Sequence, residues 1–105
     1  DPRNPEIYWG LSEAYRRTEL NYDKSARTLL ELISMTQDAG IITSTYTRLG
    51  DTYSARRMLQ PEEAMRYYRL AMDNMPPRWL QAPYLRERLM DVEGWIESGM
   101  QATSD

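Results

Sequence analysis

The chain has 105 residues, which is enough for one small domain with a single hydrophobic core. Its 41% hydrophobic and 28% charged residues are typical of a soluble globular protein, and no apolar run approaches the roughly 20 residues that span a bilayer. The net charge of -3, with 13 Lys and Arg residues scattered among 16 Asp and Glu residues, argues against a general nucleic-acid-binding protein, because phosphate neutralisation needs a basic face.

The first predicted helix covers about residues 5–17. It begins at Asn4-Pro5-Glu6, where Asn can cap free amide groups, proline suits the first helical position and an acid complements the helix dipole. Tyr8, Leu11 and Tyr15 follow at spacings of three and four, which is one face of a helix with a 3.6-residue period. That face is expected to be buried.

Two further helices are predicted in the middle of the chain. The apolar residues of the second, over about residues 23–36, recur with the helical period at Ala26, Leu29, Leu30 and Ile33. Gly40 is expected to adopt the left-handed conformation that often closes a helix. Thr43 or Ser44 is expected to cap a third helix over about residues 43–58.

The last two predicted helices are separated by adjacent prolines. Pro61 suits the first turn of a fourth helix over about residues 61–74. Pro76 and Pro77 then stop helical structure, and a fifth helix is predicted over about residues 83–98. The expected fold class is therefore all-α.

An offset of 38 residues superimposes the apolar faces of the first two helix pairs. It aligns Tyr8 with Tyr46, Leu11 with Leu49, Tyr15 with Tyr53, Ala26 with Ala64 and Leu32 with Leu70. Any two amphipathic helix pairs can be slid until some apolar positions match, which is the alternative interpretation. Both helices of each pair nevertheless match at one offset, which favours an internal repeat.

The second helix pair carries a recognisable motif: Tyr46-x2-Leu49-Gly50-x2-Tyr53, then Ala64-x3-Tyr68-x2-Ala71, then Pro76. It resembles a tetratricopeptide repeat, in which Trp-x2-Leu-Gly-x2-Tyr precedes Ala-x3-Phe-x2-Ala and a closing proline. In the first pair, Tyr8 stands for Trp, Ser12 replaces the glycine and the closing proline is absent. Both pairs have about two extra residues between their helices, and the 38-residue period differs from the family's 34, so a Sel1-like repeat is an alternative relative.

The resemblance implies an α-solenoid of antiparallel helix pairs in a single domain over residues 1–105. Unit 1 would span about residues 5–37 and unit 2 about residues 43–76, and the helix at 83–98 would be a cap or part of a third unit. Asp1-Pro2 lies at the distance before Tyr8 at which the family's closing proline precedes the next repeat, which predicts a fragment of a longer repeat protein.

The motif residues have packing roles in this family. Leu11 and Leu49 are expected to lie between paired helices, whereas small residues such as Gly50, Ala64 and Ala71 let helices approach closely. The tyrosines are expected to fill the space between repeats. Each motif residue is thus predicted to belong to the core.

The sequence does not predict an enzyme, a metal site or a cofactor site. It contains no His and no Cys, so the commonest general base, the commonest metal ligand and the thiol nucleophile are missing. The acidic pair Glu62 and Glu63 diverges by about 100° on a helix and is better explained as a partner of the helix dipole. A chain without Cys is compatible with a reducing cytosol and with an oxidising periplasm, so composition assigns no compartment.

The resemblance places a ligand groove on the concave surface lined by first helices. The exposed stripe beside the core stripe supplies the candidate partner-binding residues Trp9, Glu13, Arg16, Arg17, Thr47, Arg48, Asp51 and Ser54. Trp9 is either an interface hot spot or a residue that packs against a preceding repeat. The stripe lacks the dense Lys/Arg/Asn clamp of domains that hold a peptide carboxylate, which disfavours chaperone-tail binding.

The expected function is a non-enzymatic scaffold whose groove binds or positions a protein or peptide partner within a larger assembly. No nucleic acid and no membrane insertion are expected. The alternative is a structural spacer in a long array, as in a bacterial envelope or secretion machine, that contacts neighbouring repeats and self-associates through exposed repeat ends.

Overall fold

The computed structural model describes residues 4–99 and contains five α-helices and no strand in that range. They are α1 Pro5–Thr18, α2 Tyr22–Ile33, α3 Ala39–Ser54, α4 Pro61–Asn74 and α5 Ala82–Glu97. The all-α prediction is confirmed. Asp1-Pro2, on which an upstream repeat was predicted, lies outside the described residues.

Side-chain caps explain where the first three helices begin. The side-chain oxygens of Asn4, Asn21 and Asp38 accept hydrogen bonds from the backbone N–H groups of Glu6, Lys24 and Ile41, at 2.9, 3.0 and 3.0 Å. Each bond satisfies an amide that has no partner inside its helix. The prolines at the starts of α1 and α4 sit where a missing N–H costs nothing.

The predicted start of α3 is wrong. The helix begins at Ala39 instead of residue 43, because Asp38 supplies the cap that was assigned to Thr43 or Ser44. Gly40 therefore lies inside α3 and has no left-handed conformation; Gly99 is the glycine with positive φ among the described residues.

The ends of the helices also differ from prediction in places. The predicted α2 extends three residues too far, because Ser34 already caps the helix that ends at Ile33. The predicted α3 extends four residues too far, because Ala55 leaves the helical conformation with ψ of 149°. The bounds of α4 match, and those of α1 and α5 differ by one residue.

The helices pack in chain order. Each helix contacts the next, and α1 also contacts α3 directly. α5 reaches α3 through Tyr84 and Arg88, which bind Asp51 and Ser54. This repeat-like packing places α1, α3 and α5 around one shared surface, whereas the solenoid assignment itself stays a prediction. Below, unit 1 denotes α1 with α2, and unit 2 denotes α3 with α4.

Two hydrophobic clusters form the core. The first contains Ala26, Leu29, Leu49 and Tyr67, and the second contains Ala64, Tyr68, Ala71, Leu85 and Val92. Tyr46 and Tyr53 contact both clusters. The ring of Tyr67 stacks between them, with centroid distances of 6.0 Å to Tyr46 and 5.5 Å to Tyr53. This stack lies within one helix pair, whereas the contacts of Tyr46 and Tyr53 with the cluster of Ala26 and Leu29 reach the preceding pair, as predicted for tyrosines between repeats.

Gly50 has the packing role that was predicted for it. A Cβ atom at this position would lie 2.4 Å from the ring of Tyr68, which is closer than real contacts permit. Only glycine therefore lets α3 and α4 approach at this point. Ala64 and Ala71 on the facing helix are fully buried, as expected for small residues at a close contact.

Leu11 is not the core residue that its motif position predicted. Its side chain is 44% exposed, whereas the equivalent Leu49 is fully buried. Leu49 packs with Ala26 and Leu29 of α2, but no described helix covers the corresponding face of α1. Ser12 is the buried residue of α1, and its hydroxyl lies 2.6 Å from that of Ser25.

Candidate partner-binding groove

A groove of about 580 Å³ lies between the amino-terminal parts of α5 and the facing sides of α1 and α3. Six of the eight candidate residues line it: Trp9, Glu13, Arg16, Thr47, Arg48 and Asp51. The groove exists because α1 contacts α3 directly while α5 joins α3 from the other side. The structure thus brings together side chains that the sequence assigned to one stripe.

Arg17 and Ser54 do not line the groove. Arg17 is mostly exposed and donates from Nε to Glu13 at 2.9 Å. Ser54 is buried, because Tyr68 and Arg88 cover its hydroxyl, with Arg88 Nη2 donating to it at 3.0 Å. The predicted exposure of Ser54 is therefore wrong.

Thr47 lines the groove but is also more buried than predicted. Its hydroxyl donates to the carbonyl of Thr43 at 2.8 Å, one helical turn earlier. Thr45 and Thr52 use their hydroxyl groups in the same way. Because these donors are already used inside α3, the threonine hydroxyls can only accept further hydrogen bonds.

Trp9 is held by α3. Its Nε1 donates to the hydroxyl of Thr45 at 3.0 Å, and the guanidinium of Arg48 lies 4.7 Å from its ring centroid. The indole thus joins unit 1 to the following unit, and both interpretations of Trp9, interface hot spot and contact with a preceding repeat, stay predictions. The indole also forms one wall of the groove, where it is partly exposed.

An ion-pair cluster occupies the α1 wall. Glu13 accepts hydrogen bonds from Arg16 at 2.9 Å and from Arg17 at 2.9 Å. Exposed pairs of this kind contribute about 0.2–1 kcal/mol to stability. Their main effect on the groove is to neutralise Glu13.

Asp51 joins three helices. Tyr68 of α4 donates to its Oδ1 at 2.5 Å, and Tyr84 of α5 lies 3.1 Å from both carboxylate oxygens. Arg88 of α5 is 3.8 Å from Oδ1 and also donates to the Tyr68 hydroxyl at 3.3 Å. Asp51 is therefore the acceptor at a junction of α3, α4 and α5, on the floor of the groove.

Burial is the main cause of the pKa shifts at this junction. Desolvation raises the pKa of Asp51, although hydrogen bonds from Tyr68 and Tyr84 and the charge of Arg88 oppose the shift. Burial, together with the adjacent carboxylate, raises the pKa of Tyr68 and that of Tyr84. Both phenols consequently keep their protons over a wider pH range and can continue to donate to Asp51.

The contribution of α5 was missed by the sequence interpretation. Gln81 and Tyr84 line the groove, together with Ser12, Ser44 and Thr52 from the first and third helices. The fifth helix lacks the repeat motif, so no groove residues were assigned to it. A signal was present, since Tyr84 lies 38 residues after Tyr46 and continues the spacing that begins at Tyr8.

Residues 4–99 show neither a metal-binding cluster nor a helix suited to crossing a membrane. No group of three or more Asp, Glu, His or Cys side chains there is placed to hold a metal ion. None of the helices in this range has the length and hydropathy that crossing a bilayer requires.

Comparisons of the chain with protein-family models, curated proteins and solved structures found no match. The tetratricopeptide resemblance and the Sel1-like alternative therefore rest on the motif residues alone and stay predictions.

Proposed function

We propose that this domain is a non-enzymatic, tetratricopeptide-like interaction module whose groove binds a peptide segment of a partner protein. The observation that carries the proposal is the convergence of three helices on one partly exposed cavity that contains two aromatic side chains, Trp9 and Tyr84. Aromatic side chains on a well-packed support offer a large contact area at a small cost in conformational entropy.

The two aromatic side chains of the groove are already held in place by their neighbours, which favours binding without large rearrangement. Trp9 is fixed by Thr45 and Arg48, and Tyr84 is fixed by Asp51. Ordering flexible side chains costs roughly 0.5–1.5 kcal/mol each on association, so prior ordering leaves more of the contact energy available for binding.

The test is a selection of peptides from a random library on the wild-type domain, followed by affinity measurements on a Trp9→Ala/Arg16→Ala double variant. Selected peptides are expected to bind the double variant at least tenfold more weakly. An Arg27→Ala variant on α2, away from the groove, is the control and should bind normally. Thermal melting establishes that both proteins are folded. Equal binding by the double variant and the wild type would contradict the groove assignment.

A second candidate function, a spacer within a longer array, is favoured by a different observation. Ile7 and Leu11 on α1 are large and exposed, whereas the equivalent Thr45 and Leu49 on α3 are buried, Leu49 against Ala26 and Leu29 of α2. An additional helix on α1 would bury these side chains in the same way.

Light scattering across a concentration series tests the spacer proposal. The wild-type domain is expected to self-associate through the exposed α1 face, and a Leu11→Glu variant is expected to stay monomeric and folded. A wild-type domain that is monomeric at all concentrations would count against the spacer and leave the groove proposal intact.

A further inference from the structure

The acidic side chains of the groove already have partners inside the protein. Glu13 accepts from two arginines of α1, and Asp51 accepts from Tyr68 and Tyr84. Arg88 also lies 3.8 Å from Asp51 Oδ1, so neither carboxylate is a free charge for a cationic partner. The groove charge that has no ion-pair partner in residues 4–99 is positive.

Arg48 is that charge. Among residues 4–99, its guanidinium has no carboxylate at ion-pairing distance and donates no side-chain hydrogen bond. Its guanidinium carbon lies over the Trp9 ring, 4.7 Å from the ring centroid. Because its N–H groups donate to no side chain in residues 4–99, they are available for a bidentate acceptor.

The surface near Arg48 continues this positive character. A smaller cavity of about 270 Å³ shares Ser44 and Gln81 with the groove and is also lined by Arg78 and Leu80. Arg78 has no ion-pair partner among the described residues, and Leu80 is 93% exposed. This end of the groove thus presents two unpaired arginines beside neutral hydrogen-bonding groups, although the whole chain carries a net charge of -3.

We infer that the groove recognises an acidic peptide segment, with a side-chain carboxylate of the partner bound in bidentate fashion by Arg48 on its Trp9 support. Charge complementarity carries the inference, because an acidic side chain is the group that pairs with a planar, preordered guanidinium. It rests on the proposed function and adds the chemistry of the partner to it.

The experiment uses two immobilised libraries of C-terminally amidated peptides that are degenerate except at one central position, fixed as Glu in one library and Gln in the other. Amidation removes the terminal carboxylate, so any preference for acid comes from the side chain. The wild-type domain is expected to bind the Glu library roughly tenfold more tightly, the effect typical of a hydrogen bond to a charged group.

Three variants assign this preference to a residue. Arg48→Gln is expected to bind both libraries equally, and Arg48→Lys, which keeps the charge but loses the planar fork, should retain part of the preference. Arg27→Gln on α2 removes the same charge away from the groove and should retain all of it. Equal loss in Arg27→Gln and Arg48→Gln would show diffuse attraction and overturn the inference.

The remaining outcomes distinguish the inference that the partner is acidic from the proposal that the groove binds peptides. Equal binding of both libraries by the wild type, weakened for both by Trp9→Ala, would overturn acid recognition and support the peptide-binding groove. Absence of binding to either library would overturn both proposals.

Discussion

Unit 1 and unit 2 carry equivalent side chains in different surroundings. Leu11 and Leu49 hold the same motif position, yet one is 44% exposed and the other is fully buried. Leu30 and Tyr68, also 38 residues apart, are 38% exposed and fully buried. For the leucines the difference arises because α3 lies between α2 and α4, whereas α1 has a described neighbour on fewer sides. For the second pair it arises because Tyr68 packs against Leu85 of α5. A motif position thus specifies an orientation on its helix, and the neighbouring helices determine how much stability it contributes.

The largest contrast is expected at the two leucines. Leu49→Ala should lower the free energy of unfolding by about 2–5 kcal/mol, because it removes a buried side chain and leaves a cavity. Leu11→Ala should cost about 1 kcal/mol or less, since much of that side chain is already in water. Urea denaturation of both variants measures the difference. Equal losses of stability in the two variants would show that Leu11 is buried to the same extent as Leu49.

The second contrast concerns the small residues that follow these leucines. Gly50→Ala should destabilise the protein by about 1–3 kcal/mol from overpacking against the Tyr68 ring, partly offset by about 1 kcal/mol of helix propensity. Ser12→Ala adds no atoms and loses its hydrogen bonds with Ser25, with an expected cost of about 1 kcal/mol. A stabilised Gly50→Ala variant in thermal denaturation would mean that α3 and α4 separate easily.

The third contrast is a pH dependence that belongs to unit 2. The pKa of Tyr68 is raised in the folded protein by burial and by Asp51, so the folded state holds a proton that the unfolded chain loses near pH 10. The stability associated with this group is complete below about pH 10 and falls as the pH rises further.

Tyr68→Phe should therefore show a shallower loss of stability between pH 10 and 12, although it is less stable at neutral pH because the bond to Asp51 is gone. Stability measured by urea denaturation at several pH values reports both effects. A Tyr68→Phe slope equal to that of the wild type would exclude Tyr68 as the source.

The smallest effect is expected at Thr43. Its hydroxyl is buried and has no hydrogen-bond partner among residues 4–99, whereas that of Thr47 donates to a backbone carbonyl. Thr43→Val should stabilise the protein by about 1 kcal/mol, because it removes an unsatisfied polar group at nearly constant volume. Thr47→Val is the matched control and should be neutral or destabilising. A higher melting temperature in Thr47→Val but not in Thr43→Val would show that Thr43 does not carry the unsatisfied hydroxyl.

The periodic and capping signals predicted much of the fold. The apolar spacing located all five helices, and Pro61 marked the start of α4 correctly. The start of α3 was wrong because Asp38, Thr43 and Ser44 are all suitable caps, and local sequence does not distinguish between them. Gly50 was identified as a close-contact residue, but its partner, Tyr68, became evident only from the packing.

The candidate groove was predicted in part. Trp9, Arg16 and Arg48 line it as helical spacing suggested, whereas Ser54 is covered and Tyr84 was missed. Spacing predicts which residues share a face of one helix. It does not predict that α5 would cover one end of that face and contribute its own side chains.

The sequence by itself determined the helices, their apolar faces and the 38-residue spacing, because hydrophobic periodicity, caps and prolines act within a few residues of chain. The tertiary structure decided that Leu49 is buried and Leu11 is not, and that Asp51 joins α3, α4 and α5. It also decided that Arg48 lies over the ring of Trp9 without an acidic partner in residues 4–99. These properties depend on burial and charge pairing between helices that are distant in sequence, and such contacts exist only after the helices have packed.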